Sequence, residues 1–424
     1  MARLIRTVVV FGDSLSDIGK KWTTKSGRMA RMVNEMYVSP TGRFSDCRNW
    51  TDFMFEEAGG ASLVGTTAEG SYQRSQQHMS LSAASRVDLG ADSFRYLNYA
   101  EGGACADTPR EKGPFLGTFK DQVDAFEGEF KTGGRGIGPI LFIVWFGAND
   151  LYTANRPPHE MGLVADAEAN VQRNRLKVMV HAEDPDPKFI FVNLARPLTA
   201  VRYTARLEAA KTKFVTAFRA EAQRHPQREM AERGLYKKVM GASSLRMLRT
   251  AAWTVDDALT NHWAQKELAA LIAQVEELKK LEQGVMLFNL ELARLARQNG
   301  DRVAELGCCL SEDSLERLVN GSYRLRSGAA AAATNTHMSA QAYDQRTQAA
   351  PLTTIDQVHP TDAMYRLIWQ EIRREILAAN CTFGRLPGVA TPGTLSTLAG
   401  PSAATRGGFN GVMQELLSKR ARTP

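Results

Sequence analysis

The sequence contains no run of about 18 apolar residues, the length a helix needs to cross a bilayer, so no segment reads as a membrane span. A secretory leader's apolar core is missing too: after Arg3 and Arg6 only Val8–Phe11 precede the break at Gly12-Asp13. The chain is therefore expected in the cytoplasm, or outside the cell by a signal-less route. Cysteine is scarce. Cys47, Cys105, Cys308, Cys309 and Cys381 show no CxxC or metal-ligand spacing, and an odd number cannot pair fully within the chain, which excludes a disulfide-built scaffold and points to a reducing compartment or one disulfide at most. No metal and no organic cofactor is called for. An aromatic-basic module for nucleic acid is also lacking. The formal charge of +7 is scattered; it favours an anionic partner such as lipid headgroups over nucleic acid, and otherwise describes only a basic surface.

What is present belongs to a globular protein. Apolar residues make up 43% and charged residues 23% of 424 positions, enough for a sizeable core in one α/β domain with insertions or in two domains. The stretch Thr7–Asp17, TVVVFGDSLSD, organises the rest: an apolar run stops at Gly12-Asp13 and presents Ser14 at the end of a buried strand. Ser14 is the candidate nucleophile, and a serine hydroxyl needs a base, an orienting carboxylate and oxyanion donors from elsewhere.

Along the chain, Lys20, Lys21, Lys25, Arg28 and Arg31 form a basic segment suited to an anionic headgroup or simply to solvent. Trp50, Phe53 and Met54 have the spacing of a helix's core face, and Gly59–Asp92 reads as a long surface excursion. Further strands are predicted at Phe94–Tyr99, Pro139–Phe146, Lys188–Leu194 and Arg302–Leu306, alternating with helices as in a doubly wound sheet. Two of these end in polar or small-residue clusters, Gly102-Gly103-Ala104 and Gly147-Ala148-Asn149-Asp150, where open α/β sheets keep their ligands. Residues 204–281 read as a helical insertion whose Trp253, Trp263, Leu268 and Leu271 form either core or an acyl-binding surface, and Gly284–Ala296 reads as a separate amphipathic helix. Ser327–Ala350 reads as a mobile loop. The composition from 382 to 424 reads as a disordered tail, with a basic amphipathic helix at Val412–Arg422 that would allow peripheral membrane contact.

Among seven histidines, His359 alone follows an aspartate, Asp356, by three positions and precedes a proline that opens a helix. That spacing in a turn brings a carboxylate under Nδ1 and leaves Nε2 free to take a proton from Ser14. The order serine first, acid and base last, is not that of the Gly-x-Ser-x-Gly elbow. With FGDSLSD, NYAEGGA, FGAND and DQVHP in order, the chain resembles the GDSL, or SGNH, hydrolases. Its GRFSDCRNW and KDQVDAF segments are similar to those of the branch containing bacterial phospholipases and glycerophospholipid:cholesterol acyltransferases, with Cys47 where that pattern has glycine.

The resemblance implies a three-layer α/β/α fold with a flavodoxin-like, five-stranded parallel sheet over residues 1–381. It implies a catalytic set of Ser14, Asp356 and His359, and an oxyanion hole from the Ser14 and Gly102 N–H groups and the Asn149 amide. Asp13 is expected to shape the turn, and Asp150 to cap the segment after it. The expected activity is hydrolysis of a carboxylic ester, a lipid or phospholipid acyl ester, through an acyl-serine; the alternatives are transfer of the acyl group to an alcohol such as a sterol, carbohydrate deacetylation, or non-catalytic lipid binding.

Overall fold

The computed structural model describes residues 2–25, 27–28, 41–107, 117–195, 197, 201–224, 265–306 and 358–386. The strands are β1 Arg3–Leu4, β2 Thr7–Gly12, β3 Arg86–Val87, β4 Phe94–Asn98, β5 Ile140–Trp145, β6 Lys188–Val192, β7 Arg302–Ala304 and β8 Cys381–Thr382. The helices are α1 Lys20–Thr23, α2 Trp50–Glu57, α3 Ala68–Ser75, α4 Phe119–Gly133, α5 Ala148–Tyr152, α6 Met161–Asp166, α7 Arg173–Val180, α8 Val201–Arg224, α9 Gln265–Asn299 and α10 Asp362–Ala378. A π-helical turn, Ala167–Gln172, joins α6 to α7.

The main sheet runs β3-β4-β2-β5-β6-β7. The five strands expected from sequence are mutually parallel and lie in the order second, first, third, fourth, fifth, the flavodoxin-like arrangement. β2 sits at the centre, with Val9 paired to Leu97 on one side and Phe142 on the other.

Side chains alternate across the pleat, and both faces are covered. Val8, Val10, Tyr96, Leu141 and Ile143 pack with α2 and α10 through Trp50, Met54, Tyr365 and Trp369. On the opposite face Val9, Phe11, Leu97, Phe142 and Val144 meet α4, α6 and α9 through Phe119, Phe126, Val164, Phe288 and Leu292. Burial on both faces explains why β2 and β5 are continuous apolar runs rather than alternating ones.

Several elements depart from the expectations. The excursion at 59–92 contains α3, capped by Thr67 accepting the Gly70 N–H, and β3, which adds an antiparallel edge to the parallel sheet. The helix expected at Gly284–Ala296 is the second half of α9, a single 35-residue helix that begins within the predicted insertion. Helix formation does not stop at Gly284 because that glycine allows close approach to α5: a Cβ there would lie 2.7 Å from Leu151 Cδ1. Leu271 is buried, whereas Trp253, Trp263, the side chain of Leu268, Cys308, Cys309, Ser327–Ala350 and Val412–Arg422 lie outside the described residues.

Ordered chain also continues past 381. β8 pairs in parallel with β1, and Phe383 and Leu386 join the core cluster of Trp50 and Trp369. No described helix is long and apolar enough to cross a membrane.

Candidate functional site

The site forms at the carboxyl end of β2. Gly12 ends the strand under close restraint: Gln122 of α4 accepts the Gly12 N–H at 3.1 Å and donates to the Gly12 carbonyl at 2.7 Å. Asp13 then turns the chain, its Oδ1 accepting the Leu15 N–H at 2.9 Å and its carbonyl the Ser16 N–H at 3.1 Å. Ser14 stands at the turn with its side chain toward the carboxyl-terminal loop.

His359 arrives from 345 positions away, and its Nε2 lies 2.8 Å from Ser14 Oγ. With its proton on Nδ1, the ring accepts the serine hydroxyl's hydrogen. The segment Gly42–Trp50 holds this histidine in place. The Phe44 ring packs against the imidazole with centroids 5.0 Å apart, and Tyr365 of α10 donates to the Phe44 carbonyl at 3.1 Å. The Arg48 N–H donates to Asp362 at 3.0 Å, while the Asp362 N–H donates to Asp46. Thr361, two positions after the histidine, caps α10. Asp356 lies outside the described residues.

Asn149 begins in the turn after β5, where Gly147 adopts φ 97°, a conformation open to glycine with little strain. Its amide is fully engaged. Nδ2 donates to Asp13 Oδ2 and to the Ala104 carbonyl, each at 3.1 Å, and Oδ1 accepts from Thr153 at 3.1 Å.

Gly102 departs from the expectation. Its N–H donates to Asp17 Oδ2 at 2.8 Å, and the same carboxylate accepts from Gly19, Lys20 and Lys21. In this structure the Gly102 N–H is thus engaged by a buried carboxylate, and it would have to leave Asp17 to reach an oxyanion. The glycine is nonetheless required by space, since a Cβ there would sit 2.6 Å from the Phe44 ring that supports His359. The Ser14 N–H, by contrast, has no acceptor among the described residues.

The electrostatics are dominated by buried carboxyls behind the serine. Burial pushes Asp13 up to about 7, against the pull of the Leu15 N–H and the charge of His359, with Asp150 adding to the rise. Burial likewise raises Asp150 to about 6 although it accepts the Ala106 and Asp107 N–H groups, and it raises Asp17 against its N–H donors. Glu168, in the π-helical turn, is fully buried with neither oxygen hydrogen-bonded, and its carboxyl is held well above the usual range by burial and by the charges of Asp150 and Asp13.

Two of the lysines expected to face solvent or a headgroup are occupied. Lys21 pairs with Glu101 at 3.0 Å and Lys20 donates to the Tyr99 carbonyl at 3.2 Å. Among the described residues no cluster of His, Cys, Asp or Glu has the arrangement of a metal site, and Cys47, Cys105 and Cys381 are free thiols. Sequence reasoning missed the parts played by Gln122, Phe44 and Asp17. Only the KDQVDAF and GRFSDCRNW segments marked the first two.

Residues 8–372 match the family described as GDSL-like Lipase/Acylhydrolase. No curated protein sequence matches the chain.

Proposed function

The chain belongs to the GDSL-like lipase/acylhydrolase family, an ester-hydrolysing family in general, and on that premise we propose that Ser14 attacks the substrate's acyl carbonyl with His359 as base. The observation that carries the reading is the 2.8 Å contact between Ser14 Oγ and His359 Nε2. Nε2 takes the hydroxyl proton as Oγ bonds to the carbonyl carbon, and the carbonyl oxygen becomes an oxyanion. The Ser14 N–H and one hydrogen of the Asn149 amide receive that charge, the amide exchanging one of its resting acceptors for the oxyanion. Collapse of the intermediate breaks the bond to the alcohol, which leaves with the proton from His359. Water, deprotonated by the same ring, then releases the acyl-serine as a carboxylic acid. Asp356 is the carboxylate proposed to orient Nδ1.

The proposed substrate class is the acyl ester of a lipid. Support comes from the likeness of GRFSDCRNW and KDQVDAF to lipase segments, and from the role the first of these plays in holding His359.

A fluorophosphonate probe is expected to label the wild type and neither Ser14→Ala nor, at a comparable rate, His359→Ala. Unlabelled wild-type protein, or undiminished labelling of Ser14→Ala, would remove the reading. Substrate class is tested separately by turnover of acetyl against long-chain p-nitrophenyl esters and of phospholipids; strict acetyl preference would sink the lipid assignment while leaving the serine chemistry intact.

A further inference from the structure

Asp13 is 1% exposed, yet it holds a carboxylate between the two parts of the site that must cooperate. One oxygen accepts the Leu15 N–H, one position beyond the nucleophile, and the other accepts the Asn149 amide from a different strand end. Turn shaping alone uses the first bond and leaves the second unexplained. A buried carboxylate is costly to keep, and an aspartate placed to bond Asn149 Nδ2 fixes the separation between the serine's backbone and the amide.

We propose that Asp13 is a positioning residue for Asn149, clamping the amide at the level of the Ser14 N–H so that the two donors converge on one oxygen. The inference rests on the proposed role of Asn149 in receiving the oxyanion. Three contacts fix the side chain in the resting site: Asp13 and the Ala104 carbonyl at Nδ2, and Thr153 at Oδ1. Of the two acceptors at Nδ2, the Ala104 carbonyl belongs to the backbone, whereas Asp13 is a side chain. The bond to Ala104, a neutral carbonyl, is the one exchanged when the substrate's carbonyl oxygen arrives, whereas the bond to the buried Asp13 carboxylate persists and holds the amide in place. The groups whose charges act on Asp13 are His359 from the loop before α10, Asp150 from α5, Glu168 from the π-helical turn and Cys105. Of these His359 alone gains positive charge during the reaction, so Asp13 also favours the imidazolium that forms with the oxyanion.

The test is a double-mutant cycle on turnover of a soluble ester by the full chain, with kcat and KM read separately. Asp13→Ala is expected to lower kcat by about 10²-fold, the size of losing one oxyanion donor, with KM within about threefold. Asn149→Ala is expected to lose a similar factor. The double variant is expected to be no slower than Asn149→Ala, because residues acting through one another do not add. Asp13→Asn, which keeps one acceptor oxygen, is expected to recover part of the loss, and it replaces Asp13→Ala in the cycle should the alanine variant fail to fold. Multiplicative losses, or an effect confined to KM, would overturn the role of Asp13. An Asn149→Ala variant as fast as wild type would instead overturn the oxyanion assignment beneath it.

Discussion

Gly102 shows how a family position serves here by shape as well as by its hydrogen bond. Its N–H is held by Asp17, and its missing side chain makes room for Phe44, which in turn supports the imidazole of His359. Gly102→Ala is therefore expected to push the ring aside, costing about 1–3 kcal/mol as overpacking and slowing turnover because the base is displaced; urea unfolding and kcat measure the two effects. A variant with wild-type turnover would show that His359 does not depend on Phe44. Ser14 and His359 were legible in the chain because a strand-end serine and an Asp-x-x-His-Pro turn have recognisable spacing. The turn at Asp13 was legible as well, but its bond to Asn149 and the parts played by Asp17 and Gln122 were not. These involve groups brought together only by folding, as Gln122 grips Gly12 across 110 positions, and spacing does not encode such contacts.

At the level of elements, the site depends on how α4 begins. Thr118 and Asp121 form a reciprocal capping box, the hydroxyl accepting the Asp121 N–H at 3.1 Å and the carboxylate accepting the Thr118 N–H at 2.8 Å. One residue later comes Gln122, which holds the end of β2. Thr118→Ala should cost about 1 kcal/mol of stability, the usual loss for such a cap, measured as a shift in urea midpoint. An unchanged midpoint would mean that this turn is secured by packing alone. The five parallel strands were readable because burial on both faces leaves an unbroken apolar run, as in Ile140–Trp145. β1, β3 and β8 were not, since two residues cannot display a period. α3 was hidden by its Gly, Ser and Gln content; the one local cue was Thr67 three positions ahead of Gly70. The break expected near Gly284 failed because close packing against Leu151 outweighed glycine's poor helix propensity.

Over the whole molecule, buried acids set the expected response to pH. Asp13, Asp150, Asp362 and Glu168 all hold their protons more tightly folded than unfolded, chiefly through burial. Their contribution to stability is complete below the unfolded value of about 4. It is lost as pH rises through the folded values, about 6 for Asp150 and Asp362 and about 7 for Asp13, because there the folded state binds the extra proton. The urea midpoint is thus expected to be lower at pH 8 than at pH 5. Glu168→Gln, a neutral replacement of the same shape, should flatten that slope and raise the midpoint at pH 8 while changing little at pH 5; equal slopes for variant and wild type would contradict this account of Glu168.

Ser14 and His359 stand 345 positions apart, and β1 pairs with β8. On the ribosome the hydroxyl therefore emerges 345 positions ahead of its ring partner. A nascent polypeptide holds one group of the pair without the other until synthesis reaches the far segment and the two close upon each other.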